Sequence, residues 1–437
     1  MARIGRTDDA LSHLRESVRL GPTYAEARNN LGLALHRARR YSDAIAELRA
    51  AVALRPNYAE AHHHLGNTLR AEGRAQEAAE SHRRAISISP RFSAAYHELA
   101  ADLCDLGLAD EAIAAYRKVL ELNPDSPSAC SDVLFCLHYS DRYTPAELLK
   151  EAMGYGRKFD RTAAPERNGV AASFLQETSC DPVSLRRLRV GYLSPDFRRH
   201  TIRHIIEPIL ESHDRQRIEV FCYASVHQPD EVTAKLAGLS EHWTDVSGLP
   251  DDETAERIGS DNIDVLVDLA GHMGDTRLAV LARRPARVQL QLGYPGTTGL
   301  SAVDYRFADA HSMPSEAFGF YSEKTLYLPD CAWLYKPTDD APDIGPLPAK
   351  TNGFVTFGCL NKMVKVSGRT LDLWAKVLEA VPNSRLMLLS PLKNDRLLDS
   401  LARRGVDLKR VELAPRRSRR AYLELFNRID IALDPMP

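Results

Sequence analysis

No stretch of this chain is apolar for long enough to cross a bilayer, and the N-terminal "MARIGRTDDALSHL" lacks the apolar core that an export signal needs. Charge of one sign is lacking as well, with 57 Lys and Arg against 59 Asp and Glu. That balance argues against an electrostatic grip on nucleic acid or an anionic membrane. The chain therefore reads as a cytoplasmic protein that uses neither. Cysteine is sparse: Cys104, Cys130, Cys136, Cys180, Cys222, Cys331 and Cys359 are scattered, with no CxxC pair. Such scatter argues against a zinc or disulfide framework and predicts buried free thiols in a reducing compartment. What the chain has is length and apolar content. With 437 residues, 44% of them hydrophobic, it exceeds what one core supports and predicts two or three domains.

The first third repeats itself. Pro22, Pro56, Pro90 and Pro124 are spaced by 34 residues, as are Ala10, Ala44, Ala78 and Ala112, and Ala27, Ala61, Ala95 and Ala129. Gly32 and Gly66 keep the register, and Ala100 takes the third place. This period, with small residues at fixed offsets and proline closing each unit, resembles the tetratricopeptide repeat. Small residues let two helices approach, and proline cannot continue a helix. Each hairpin buries its apolar face only by stacking on its neighbours. Complete units read as 23–56, 57–90 and 91–124, preceded by a lone helix at about 7–20 that matches half a repeat. A right-handed solenoid of helix pairs is expected, beginning in mid-array. The triple His62-His63-His64 cannot converge on one ion, because consecutive helical residues point about 100° apart, so solvated or groove-facing rings are expected.

Beyond Pro124 the pattern stays helical to about 159, and 160–187 reads as a polar linker. Then "LRVGYLS" (188–194), "IEVFCYA" (218–224) and "IDVLVDL" (263–269) alternate with helical stretches. A second series follows: "GFVTFGCL" (353–360), "SRLMLLSP" (384–391), "RVELA" (410–414) and "IDIALDP" (429–435). Alternation of this kind predicts open, mostly parallel sheets covered by helices. The expected fold class is an α-solenoid over 1–124 and a helical transition over 125–187, followed by two α/β lobes. These lobes span 188–336 and 353–437 and are joined by a Pro-rich connector at 337–352. Ligands in such folds sit beyond the carboxyl ends of strands, often in a cleft between lobes.

The residues after those strand ends carry the chemistry. "PDFRRHTIRH" supplies Asp196, His200 and His204; "AGHMGDTR" supplies His272 after Asp268; "FGCLNKMVKVS" supplies Asn361 and Lys365. Between them, "QLGYPGTTGL" (291–300) is too glycine-rich for a strand or helix interior, where each glycine is destabilising by roughly 0.5–1 kcal/mol relative to alanine. His200 and His204 stand at i, i+4, but Thr201 occupies the place where a zinc-protease motif needs Glu, so no metal site is expected. Asp196 has two readings, a cap for a helix beginning near Thr201 or a member of the site. His204 reads as a structural hydrogen-bond partner.

Repeats, motif order and spacing together resemble the O-linked N-acetylglucosamine transferase family, its bacterial members above all, in which GT-B-like lobes follow tetratricopeptide repeats. The resemblance runs the length of the chain and is dense over 188–309. It implies inverting transfer from UDP-N-acetylglucosamine to Ser or Thr hydroxyls of proteins, with no cofactor or metal. His200 matches the residue beside the reacting centre and His272 a histidine of bacterial relatives. Lys365 matches the diphosphate lysine. Gly293, Pro295, Gly296, Thr297 and Asn361 match donor-side positions, with the glycine backbone making room for the sugar. Asp196, Asp268 and His204 support them. Departures are Thr201 in place of a usual proline, Lys362 in place of a small polar residue, and a groove ladder reading Asn30, His64 and Glu98 where the family uses asparagine. The resemblance also implies a further glycine- and threonine-rich turn, a phosphate-binding helix and a uridine pocket after "DIALDPMP". The chain as given is therefore expected to be truncated, to bind UDP no better than millimolar and to lack transfer activity. Other readings keep the fold with another sugar or acceptor, fucose on hydroxyls or glucose on asparagine, or make the chain a non-catalytic interaction scaffold.

Overall fold

In a computed structural model the described residues are 2–160, 186–332, 334–337, 341–390, 394–415 and 417–435. The expected linker thus lies, apart from its ends, outside the described residues, as does Cys180. The chain divides into two compact units, one made of Met1–Ala129, Tyr139–Arg142 and Asp340–Pro437, the other of Cys130–His138 and Tyr143–Asp339.

Residues 2–159 form α1 (Ala2–Leu20), α2 (Ala25–Arg37), α3 (Tyr41–Leu54), α4 (Ala59–Ala71), α5 (Ala75–Ile88), α6 (Ser93–Asp105), α7 (Ala109–Leu122), α8 (Pro127–Leu137) and α9 (Pro145–Phe159). The lone first helix begins five residues earlier than expected. The repeat alanines do what their size allows: Ala44, Ala78 and Ala112 have no exposed surface, and Ala61 and Ala95 have none either. Gly66 marks the tightest of these approaches, since a Cβ there would lie 2.5 Å from the His82 ring. That ring is fully buried, with Nδ1 2.6 Å from Asp102 Oδ2 and Nε2 3.1 Å from Asn67 Oδ1. The histidine triple departs from the solvated reading. His63 packs against the rings of His82 and Phe92, at 5.4 and 5.0 Å, and burial pushes its imidazole down to about 4. His64 instead meets Asn29 Oδ1 at 2.8 Å. Their divergence along the helix sends each ring to a different neighbour.

The first sheet contains β1 (Leu188–Ser194), β2 (Ile218–Ala224), β3 (His242–Asp245), β4 (Val265–Asp268), β5 (Val288–Gln291), β6 (Tyr305–Ala308) and β7 (Lys324–Tyr327). Its order is β3-β2-β1-β4-β5-β6-β7, and every pairing is parallel. Val190, Tyr192, Val220, Cys222, Val267 and Leu290 build its core with Ile205, Ile206 and Leu210 of α10 (Arg203–Ser212). Both faces of β1 and β2 are buried after their first two residues, which is why these strands read as unbroken apolar runs. β3, β5, β6 and β7 went unread in the sequence because each has only four residues and, unlike β4 within 263–269, lacks a longer apolar run around it. The second sheet, β8 (Val355–Cys359), β9 (Ser384–Leu389), β10 (Val411–Ala414) and β11 (Ile431–Ala432), is also parallel, in the order β10-β9-β8-β11. Its last strand is shorter than "IDIALDP" suggested. Among the described cysteines Cys136, Cys222 and Cys359 are buried, but Cys331 is exposed, contrary to the expectation of buried thiols. No described helix is long and apolar enough to cross a membrane.

Candidate active site

In each sheet the strand order reverses between two hydrogen-bonded neighbours, β1 and β4 in the first, β8 and β11 in the second. Open α/β sheets bind ligands beyond the carboxyl ends of strands at such switch points. The predicted residues fall there: Asp196 and His200 follow β1, Asp268 ends β4 and precedes His272, and Asn361 and Lys365 follow β8.

His200 presents an accessible imidazole after β1, its side chain 38% exposed and its Nδ1 3.5 Å from Asp196 Oδ2. The Ile202 amide also points at that nitrogen, at 3.4 Å. Asp196 is buried, and its other oxygen accepts from Arg198 at 3.3 Å. The capping reading of Asp196 fails: α10 begins at Arg203, its N-cap is Ile202, and no side chain caps it. Asp196 instead lies beside the His200 ring. His204 is buried, with Nδ1 2.9 Å from the Lys336 carbonyl, while its own carbonyl accepts the Lys336 amide at 3.1 Å. It ties α10 to the segment after β7.

His272 stood with the catalytic residues in the sequence. The structure buries it completely and engages both ring nitrogens, Nε2 donating to the Thr298 carbonyl at 2.9 Å and Nδ1 accepting from Ser131 Oγ at 2.8 Å. That geometry holds the glycine loop to α8. Burial pushes its imidazole down to about 3, against the pull of the Thr298 carbonyl. Asp268 accepts from the amides of Ala270 (3.3 Å) and Gly271 (2.6 Å), shaping the turn that carries His272. Burial raises its carboxyl to about 6, with those two amides opposing the rise.

The glycine loop differs from the expected sugar-facing wall. Gly293 holds a left-handed backbone (φ 89°), where a Cβ would press on the tip of the Ile202 side chain at 2.9 Å, and a Cβ on Gly296 would overlap the His138 ring. A Cβ on Gly299 (φ 73°) would overlap the Ala152 carbonyl of α9. Gly296 and Gly299 are thus required by packing against His138 and α9, and Gly293 by its left-handed backbone. Thr297 is buried too; of the four predicted loop residues, Gly293 is half-buried and Pro295 alone is exposed. Sequence reasoning missed what holds this loop. Buried Glu323 accepts from Thr297 Oγ1 and from the Thr298 amide, both at 2.7 Å, and from Thr298 Oγ1. Buried Arg306 lies 3.7 Å from the Tyr321 ring centroid and donates to the Pro295 carbonyl at 3.4 Å. Its Nε and Nη1 have no partner among the described residues.

In the second sheet Asn361 Nδ2 donates to Asp434 Oδ1 at 3.0 Å, joining the ends of β8 and β11. Lys365 ends a 3-10 turn, Met363–Lys365, is half-buried, and pairs with no carboxylate among the described residues. No group of His, Cys, Asp and Glu among the described residues is arranged to hold a metal ion.

The two buried titrating groups oppose each other in acid. Below pH 6.5 the unfolded chain protonates His272 while the folded chain refuses the proton, so stability falls toward pH 3 by up to about 1.4 kcal/mol per unit. Asp268 works the other way. Its folded carboxyl near 6 lies above the ordinary 3.8, so its contribution is full below about pH 4 and is lost as pH rises through 6. An Asp268→Asn chain should therefore lose stability more steeply than wild type between pH 6 and 4.5 in urea titrations. Parallel curves would show Asp268 ionised throughout.

A helical repeat array with two parallel α/β sheets, each with polar side chains at its switch point, sets the class: a tetratricopeptide-repeat protein with a doubled α/β ligand-binding region. The model for glycosyl transferase family 41 matches residues 172–336, and tetratricopeptide-repeat models match 2–59, 37–93 and 95–126. A solved mutant of the Thermobaculum terrenum O-GlcNAc transferase is 34% identical, with a TM-score of 0.80 over 95% of this chain and 79% of that one. The "Probable UDP-N-acetylglucosamine--peptide N-acetylglucosaminyltransferase SPINDLY" of Arabidopsis thaliana is 34% identical over 326 residues, 72% of this chain and 34% of the relative. The UDP-N-acetylglucosamine--peptide N-acetylglucosaminyltransferase of Caenorhabditis elegans is 40% identical over 147 residues, 33% of this chain and 13% of the relative. The chain belongs to the O-GlcNAc transferase family, glycosyl transferase family 41. It spans about a third of the length of the curated relatives it matches over most of its own length.

Proposed function

We propose that this chain carries catalytic parts of a cytoplasmic protein O-glycosyltransferase that moves N-acetylglucosamine from UDP-N-acetylglucosamine to a Ser or Thr hydroxyl, with inversion. The hydroxyl oxygen bonds the anomeric carbon, the bond to the diphosphate breaks with its electron pair leaving on UDP, and the hydroxyl proton is passed on. The observation that carries this reading is the placement of an accessible imidazole beside a carboxylate and of a lysine that pairs with no carboxylate among the described residues, each just beyond a switch-point strand. His200 takes up the proton, as an imidazole can near neutral pH. Lys365 meets the charge growing on the leaving diphosphate, and because that interaction strengthens in the transition state it accelerates the step. No metal is required, and EDTA should leave the rate unchanged. The repeats present protein acceptors through the groove of Asn30, His64 and Glu98. His272, Asp268 and Glu323 position the loop rather than touch the reacting atoms.

Transfer of labelled sugar from UDP-N-acetylglucosamine to protein acceptors tests the reading, with GDP-fucose and UDP-glucose run in parallel to identify the sugar. In the protein at its full natural length, Lys365→Ala and His200→Ala should each lower the rate at least about tenfold. Lys365→Ala should also weaken UDP binding, and His200→Ala should largely spare it. Equal loss of UDP affinity in both variants would overturn the division of roles.

A further inference from the structure

The turns between paired helices in the three repeats end in a left-handed residue at equivalent places: Arg39 (φ 60°), Gly73 (φ 85°) and Gly107 (φ 78°), each 34 residues from the next. Arg39 shows that this backbone conformation alone does not demand glycine here. At Gly73 a Cβ would meet nothing within 4 Å. Gly107 is different. A Cβ there would lie 2.9 Å from the Met363 carbonyl oxygen and 3.2 Å from its carbon, backbone atoms that no side-chain rotation can move aside.

Met363 opens the turn that carries Lys365. Its carbonyl accepts the Val366 amide at 2.9 Å, and the Lys362 carbonyl accepts the Lys365 amide at 3.0 Å. Met363 and Val366 are rooted in the core of the second sheet beside Phe357, Trp374 and Leu388, so the turn cannot yield without disturbing that core. Two further contacts flank the abutment. Glu111 accepts from Arg396 at 2.9 Å, and Asp141 accepts the Arg369 amide at 3.4 Å, at the start of helix Gly368–Ala380.

We propose that Gly107 is a positioning residue for Lys365: the last repeat presses bare backbone against the Met363 carbonyl and so sets where the ammonium group meets the donor. The repeat array is then part of the donor site. This rests on the reading of Lys365 as the residue that meets the diphosphate.

The test compares Gly107→Ala with Gly73→Ala, which imposes the same left-handed strain without the abutment. Gly107→Ala should show the larger drop in thermal midpoint, because its methyl also meets the Met363 backbone. UDP affinity by titration should be unchanged in Gly73→Ala and weakened at least about fivefold in Gly107→Ala, the lower end of typical site coupling. In a Lys365→Ala background, Gly107→Ala should weaken UDP binding no further, because the effect passes through that lysine. Equal UDP affinity in the two glycine variants would overturn the proposal, as would full additivity with Lys365→Ala. Unchanged UDP binding in Lys365→Ala itself would instead overturn the donor reading, and this proposal with it. Should Gly107→Ala fail to fold, hydrogen exchange on the wild-type chain decides. UDP should slow the amides of Leu106 to Leu108 together with those of Lys365 and Val366, and no change at the repeat turn would overturn the proposal.

Discussion

Glu323→Ala is expected to destabilise the chain by about 3–5 kcal/mol, the range for breaking a buried charged network by removing one partner. Glu323 is 4% exposed and accepts from both threonine hydroxyls and the Thr298 amide. Without it those donors are left buried, and each unsatisfied group costs about 1–3 kcal/mol. Arg306 also loses the nearby acidic charge that partly offsets its burial. Glu323→Gln should recover part of the loss, since it can still accept a hydrogen bond but supplies no charge. Urea unfolding measures both variants. A loss under about 1 kcal/mol for the alanine variant would mean that water reaches these donors and that Glu323 does not hold the loop.

Gly299→Ala should be nearly as damaging, about 3–5 kcal/mol. A left-handed backbone costs an L-residue about 1–2 kcal/mol, and overpacking a tight contact typically adds about 1–3. Here the contact is backbone on backbone. The added methyl would overlap the Ala152 carbonyl, and Gly156, one turn further along α9, is packed as closely on the Gly299 carbonyl. Asp160 Oδ2, just beyond α9, accepts the Ser301 amide at 2.9 Å, so the loop cannot swing away while that bond holds. Gly248→Ala, where a Cβ would meet nothing within 4 Å, is the control and should change stability by less than about 1 kcal/mol. A loss at Gly299 no larger than that at Gly248 would show that neither the left-handed backbone nor the α9 contact constrains this position.

The repeats were legible because their information is local and recurs. A 34-residue step in alanine, glycine and proline reports helix-to-helix distance and helix end directly. The longer strands β1, β2, β8 and β9 were legible for a similar reason, since burial on both faces leaves an apolar run. The short strands β3, β5, β6 and β7 carried no such signal. At the site, the register of His200, Lys365 and Asn361 after their strands could be read along the chain. The bond from His272 to Ser131 spans 141 positions and that from Glu323 to Thr298 spans 25, so nothing in the neighbouring sequence announced either.

The glycines divide the two kinds of knowledge. By itself the sequence determined that 291–300 could not be the interior of a strand or helix, because three glycines and a proline remove the propensity for both. It also determined the order of elements and which residues follow strand ends, since those properties depend on near neighbours. Only the tertiary structure decided what the glycines are for. Whether a missing Cβ makes room for a ligand, for α9 or for the turn that carries Lys365 depends on which distant backbone arrives there, and close packing leaves space for one occupant.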